Sequence, residues 1–230
     1  MFSITLDNIE IEILKKNIKN IHLSVHPPYG IVRLSVPEKM KDEDIKNFII
    51  SRLLWIKKQK SKYEYQENIL PLEYISGESH CYFGTKYLLN VIPTEKNQHA
   101  ELINNEYINL FVKSNTSTEE RKKVMMEWYR KNLKLAIPKY IDKWENIIGV
   151  SVSEWCVKLM KTRWGTCNTQ KKRIWLNLEL AKKPTTCLEF IIVHEMVHLL
   201  ERHHNSIFYA YMDEYLPDWK EIRKGLNGMV

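Results

Sequence analysis

His194 and His198 stand four positions apart with Glu195 between them, in a stretch whose apolar residues (Phe190, Ile191, Val193, Val197) recur as on a helix. At that spacing both imidazoles leave one face of the helix about one turn apart. Two nitrogens so placed can reach one Zn²⁺ at roughly 2.0–2.1 Å. Glu195 then sits beside the metal rather than on it, where it can take a proton from a zinc-bound water. Zinc lowers the pKa of such a water toward about 7, so hydroxide is available at neutral pH. Two unrelated histidines on an apolar helix would be poorly satisfied there, which favours the metal reading. The third ligand stays open among His203, His204, Glu201 and Glu214. Neighbouring residues point in different directions, so only one of His203 and His204 is expected to bind. A residue beyond the helix end that folds back over the first two fits best, and His204 meets that condition. The chemistry is that of a zinc hydrolase.

The elements that must position these groups follow from pattern. Phe2-Ile4-Leu6 and Ile9-Ile11-Ile13 alternate with polar residues, as half-buried strands do. Ile21 to Val25 and Ile31 to Val36 flank a turn signal at Pro27-Pro28-Tyr29-Gly30 and predict a hairpin. Asp42 is a candidate cap for a helix with Ile45, Phe48, Ile49, Leu53, Trp55 and Ile56 on one face, dissolving over Lys57 to Gln66. Tyr74 to Glu78, Cys81 to Val91 and Tyr107 to Val112 read as further β segments, with Gly77 and Gly84 where turns are needed. Ser117 and Glu120 form a capping-box pattern that opens a long helix from about Thr118 to Ile148, stopped by Gly149, and Pro138 should kink or split it. Ser151 to Lys161 reads as a strand, Arg163 to Asn168 as a loop, and Arg173 to Leu178 as a strand. A second capping box, Thr186 with Glu189, is expected to start the active-site helix, running from Cys187 to about His203, and a last helix follows Leu216-Pro217-Asp218. No internal repeat is visible.

These segments predict an α+β chain of two parts: residues 1–115, β-rich with one helix, and residues 116–230, where a bridging helix leads into the hydrolase domain. The 230 residues suffice for a core without disulfides. Cys81, Cys156, Cys167 and Cys187 lie far apart, so free thiols in a reducing cytosol are expected. The opening residues lack the basic start and apolar block of a secretory signal, and no apolar run is long enough for a membrane span. A cytoplasmic location is the expectation. The formal charge of +7 favours an anionic partner, such as a nucleotide or nucleic acid, although the basic residues are scattered over lysine-rich surfaces.

Several motifs together resemble the YgjP-like metallopeptidase family, related to the SprT-like and WLM zincins. They are Met160-Lys161-Thr162-Arg163-Trp164-Gly165-Thr166-Cys167, the strand Trp175-Leu176-Asn177-Leu178, His194-Glu195-Met196-Val197-His198-Leu199, and His203-His204-Asn205-Ser206-Ile207-Phe208-Tyr209. Pro217-Asp218-Trp219-Lys220 and Leu226 also fit, as do His22-Leu23-Ser24-Val25 to Val36-Pro37, Trp55-Ile56 and Tyr74 to Glu78 upstream. The chain departs from the family pattern at Thr166 (Ser), His203 (Asn), Asn205 (Ser) and Tyr209 (Trp), and none of these removes an expected ligand or base.

The resemblance implies a zincin-like C-terminal domain, its active-site helix packed on a small sheet. It implies His204 as third ligand, because the family's phenylalanine falls on Phe208. It implies a metallopeptidase acting on a peptide or protein, with Zn²⁺ as cofactor; an extended peptide would pair with an edge of the Arg173 to Leu178 strand. Trp164 and Gly165 would form a tight loop near the site, as structural plug or functional element. Asn177 would either fix backbone or touch substrate. Tyr209 and Tyr211 could donate to an oxyanion, with helix packing the plainer role. Two other readings use the same residues: a metal-dependent phosphohydrolase such as a nucleoside triphosphate pyrophosphatase, and a nucleic-acid-associated zinc module.

Overall fold

A computed structural model describes residues 2–26, 30–64 and 72–228. The chain divides into two compact units, Met1–Pro71 and Leu72–Val230.

In the first unit β1 (Phe2–Leu6) turns into β2 (Ile9–Lys16) through Asp7 and Asn8, both at positive φ (52° and 61°), the short polar residues that tolerate this conformation best. β3 (His22–His26) and β4 (Ile31–Pro37) pair antiparallel as expected. The intervening turn residues 27–29 lie outside the described residues. The sheet order is β1-β2-β4-β3, with β2 and β4 parallel. Ile9, Ile11 and Ile13 with Val32, Leu34 and Val36 bury one sheet face against Ile45, Ile49 and Ile56 of α1 (Asp42–Glu64). Trp55, expected on that apolar face, is instead 41% exposed, because Ile45, Ile49 and Ile56 define a narrower stripe. The segment expected to dissolve, Lys57 to Gln66, instead stays helical through Glu64, and its last two residues lie outside the described residues.

The second unit begins with another four-stranded sheet: β5 (Ser79–Tyr82), β6 (Thr85–Pro93), β7 (His99–Ile103) and β8 (Tyr107–Val112), ordered β5-β6-β8-β7. Its outer pairs are antiparallel and its central pair is parallel, the same connectivity as in the first unit. Two expectations change here. Tyr74 to Glu78 is a loop, because the Glu78 carboxylate accepts from the backbone N–H groups of Glu73 (2.7 Å) and Tyr74 (2.9 Å) and curls the chain. The single strand expected over Cys81 to Val91 breaks at Phe83-Gly84, both at positive φ, into two paired strands.

α2 (Thr118–Ile148) has the expected capping box at Ser117 and the left-handed stop at Gly149. Pro138 does not split it: the proline stands on the exposed side, while Leu133, Ile137, Ile141 and Trp144 hold both halves on the core. β9 (Glu154–Lys158), β10 (Gly165–Asn168) and β11 (Arg173–Asn177) make a three-stranded sheet in the order β10-β11-β9. A 3₁₀ turn (Leu178–Lys182) leads to α3 (Thr185–Val197), followed by α4 (Ser206–Tyr215) and α5 (Trp219–Gly228). Leu89, Ile108 and Leu110 share one core with Tyr129 and Leu133 of α2, with Ile174 and Leu176, and with Leu188, Ile192 and Met196 of α3. The compact units therefore divide at Pro71 rather than at residue 115, since the β5–β8 sheet buries its face in the same core as α2. No helix among the described residues is long and apolar enough to cross a membrane.

Candidate metal centre

α3 is buried on nearly every side: Leu188, Ile191, Ile192, Val193, Met196 and Val197 all lie in the core. Its start differs from expectation. Pro184 occupies the cap without a side-chain bond, and no Thr186–Glu189 box forms. The Glu189 carboxylate instead accepts from Lys143 Nζ (2.7 Å) and Trp144 Nε1 (3.0 Å), tying α3 to α2. Its end differs too. α3 stops at Val197, with His198 as its C-terminal cap, rather than at His203. Tight turns from Met196 and Val197 carbonyls to Leu199 and Leu200 reverse the chain.

That reversal brings His204 back over the helix. Its Nε2 lies 3.0 Å from Nε2 of His194. Ligand atoms of His194, His198 and His204 all fall within 4.8 Å of one another, the one such group of three among the described residues. Nitrogens held at 2.0–2.1 Å around a tetrahedral ion stand roughly 3.3 Å apart, so this cluster fits a single cation. His198 Nδ1 pairs with the Glu201 carbonyl (3.2 Å), which orients the ring and leaves Nε2 as its ligand atom. Burial, reinforced by the neighbouring imidazoles and Arg223, holds His194 down at about 3. His198 and His204 are lowered as well, again mainly by burial. Neutral imidazoles with free lone pairs are what a cation requires.

Beneath the cluster lies Phe208, fully buried, with its ring centroid 5.0, 4.7 and 4.6 Å from those of His194, His198 and His204. Asn205 caps α4 by accepting from the Phe208 N–H (3.0 Å), which sets both the floor and the adjoining His204. The other ligand candidates stay out of the cluster. His203 is exposed and its N–H donates to the Glu201 carboxylate (3.0 Å); Glu214 is exposed on α4.

Glu195 is 5% exposed, and burial pushes its carboxyl up to about 8 against the opposing pull of Arg163. It lines a cleft of about 760 Å³ with the three histidines and the segment Thr162 to Gln170. Gly165 is the nearest wall: a Cβ there would stand 2.6 Å from Glu195 Oε1 and 2.8 Å from Ile191 Cγ2. Only glycine lets the strand pass this close. The loop expected over Arg163 to Asn168 is thus partly strand, since Gly165–Asn168 is β10 and pairs antiparallel with β11. β11 in turn is central, flanked by β10 and β9, so it offers no edge; the outer edge beside the cleft belongs to β10.

The remaining candidates are settled by their contacts. Asn177, 5% exposed, donates to the carbonyls of Met160 (2.9 Å) and Arg163 (2.8 Å) and accepts from the Met160 and Glu179 N–H groups, so it fixes the backbone that leads into β10. The Asn177 N–H also donates to the Trp164 carbonyl (2.8 Å). Tyr209 stacks on Trp219 (5.5 Å) and on His204 (6.3 Å), and Tyr211 stacks on Tyr215 (5.9 Å), so Tyr211 packs helices while Tyr209 also backs the third histidine. All four cysteines are free thiols. Two cleft residues escaped the sequence reading: Arg202 and Arg223 had no spacing signal, because they come from separate segments, while Arg163 stood in a family motif with no role assigned to it.

No curated protein matches this chain. Among solved structures, that of the metallopeptidase zymogen of Pyrococcus abyssi abylysin is 18% identical, with a TM-score of 0.37, covering 39% of this chain and 90% of that one, a similarity too slight to bear on fold or function. A family model described as "YgjP-like, metallopeptidase domain" matches residues 19–229. With nearly its whole length matched, this chain belongs to the YgjP-like metallopeptidase-domain family.

Proposed function

We propose that the protein is a zinc-dependent metallopeptidase of zincin-like arrangement, with His194, His198 and His204 as metal ligands and Glu195 as general base. The observation that carries it is the convergence of three neutral imidazole nitrogens beside a buried carboxylate in one cleft. Three protein ligands with a carboxylate held off the cluster suit an open, catalytic zinc site rather than a closed structural one. When bound, the cation supplies Lewis acidity, lowering the pKa of a coordinated water and polarising the scissile carbonyl.

The chain does the rest. Beside a cation held by the neighbouring imidazoles, the Glu195 carboxyl would favour its ionised form over the protonated one that burial alone promotes. In that form Glu195 takes a proton from the attacking water as its oxygen adds to the carbonyl carbon, then delivers that proton to the amine nitrogen as the C–N bond breaks. Gly165 leaves the room in which that carboxylate sits. Phe208 keeps water from beneath the imidazoles, and the Glu201 carbonyl holds the His198 ring. An extended substrate would add as a strand to the free edge of β10, its scissile bond carried past Glu195.

The test compares three variants. Glu195→Gln is expected to keep its zinc and lose peptide cleavage by a factor of at least about a hundred, whereas His204→Ala is expected to lose the zinc and His203→Ala to keep it. Cleavage that persists in a clean Glu195→Gln preparation would sink the reading. The phosphohydrolase alternative uses the same ligands and base. A free strand edge is of no use to a nucleotide, so the peptide reading takes precedence.

A further inference from the structure

Resting on the metallopeptidase reading, the charge of the cleft names the class of peptide. Its only carboxylate among the described lining residues is Glu195, while Arg163, Arg202 and Arg223 all border it. They arrive from the segment before β10, the α3–α4 turn and α5, so three unrelated stretches deliver the same guanidinium chemistry to one place. All three are exposed, and none forms an ion pair among the described residues. Lys220, also on α5, shows the contrast: it is neutralised by Asp213 at 2.9 Å.

Two of the arginines bracket the chemistry. Arg163 stands two residues before Gly165, whose position abuts the Glu195 carboxylate, and Arg223 lines the cleft together with His194 and His204. Arg223 also has a built support. Its guanidinium stands 5.9 Å from the Trp219 ring, which stacks on Phe190 (6.5 Å) of α3 and on Tyr209 (5.5 Å) of α4. Unpaired guanidinium groups beside a reacting centre are expected to bind a substrate anion, since they stay charged at any working pH and match a carboxylate two bonds at a time.

We propose that Arg163 and Arg223 select an acidic peptide, one carrying Asp or Glu beside the scissile bond. A free phosphate-bearing ligand would meet the same charges but would leave the β10 edge unused. The peptide satisfies both the charge and the strand edge.

Internally quenched peptide pools, identical except for one fixed Glu, Gln or Lys at each position around the cleavage point, test this on the zinc-loaded protein. At one position wild type should cleave the Glu pool about tenfold faster in kcat/KM than the Gln pool, the worth of one charge-assisted pair. That ratio should shrink as salt is raised. Arg223→Glu or Arg163→Glu should collapse it or turn it toward Lys, and Arg223→Lys should keep its sign but reduce it, since lysine retains the charge without the two-bond match, with zinc content and melting temperature showing that each variant is folded. Equal cleavage of Glu and Gln pools by wild type, or a ratio unmoved by both charge reversals, overturns the inference and leaves the metallopeptidase reading standing. No cleavage of any pool by zinc-loaded wild type overturns both. So does turnover of nucleoside triphosphates, lost in Arg223→Glu, with peptides untouched.

Discussion

Glu195 owes its position to an absence. Its carboxyl is buried among apolar neighbours, and the space beside it exists because residue 165 has no side chain. A methyl group there would force the carboxylate, Ile191 or the strand to move by several tenths of an ångström. Gly165→Ala should therefore cost about 1–3 kcal/mol of stability by overpacking and should impair cleavage more than it impairs zinc binding. Melting temperature, metal content and kcat/KM, measured on one preparation, check this; unchanged cleavage would show that Glu195 has more room than the geometry allows. The same reasoning explains Phe208. An aromatic floor touching three imidazoles excludes water from their far side and keeps the ligand atoms facing the cleft.

At the scale of elements, α3 is rigid because it is sunk between α2, the β9–β11 sheet and the two following helices. Tyr129 of α2 is part of that mounting: its hydroxyl donates to the Cys81 carbonyl (2.9 Å), linking α2 to β5. Burial pushes Tyr129 well above the ordinary tyrosine range and Tyr74, which shares that core, up to about 12. Both groups are neutral in folded and unfolded chains below about 10, so their contribution is fully present there. Above it the unfolded chain ionises first, and stability should fall as the pH rises further. Urea midpoints taken from neutral pH to beyond 10 should show that decline. Tyr129→Phe should be less stable at neutral pH by about 0.5–1.5 kcal/mol yet lose less on going alkaline; an identical alkaline slope would remove Tyr129 as a cause.

For the whole molecule, two separate cores matter more than the number of elements. One is built from Ile9, Ile11, Ile13 and their partners in residues 1–71, and the other lies in residues 72–230, the unit that also holds every residue of the candidate site. Each unit has a four-stranded sheet of the same connectivity followed by a long helix, yet no repeat is visible in the residues themselves. Burial constrains only the alternation of apolar residues along a strand, so one topology can recur without shared identities. Residues 72–230 made alone should unfold cooperatively and bind one zinc per chain, as read by circular dichroism and metal analysis. A fragment without a cooperative transition would mean that the second core depends on the first.

The sequence by itself determined what is local. The spacing of His194 and His198, the Ser117 box and Gly149 stop of α2, and the strand alternation all depend on neighbours within a turn or two. The family motifs added His204, which spacing alone had left in competition with His203, Glu201 and Glu214. Tertiary structure decided whatever depends on partners far along the chain. It gave Glu189 to Lys143 and Trp144 in place of a cap, ended α3 at Val197 where the chain reverses, and made β11 central so that the free edge passed to β10. It also gathered Arg163, Arg202 and Arg223 into one cleft. Pairing order and charge convergence arise from contacts between distant segments, and no periodicity in the chain encodes them.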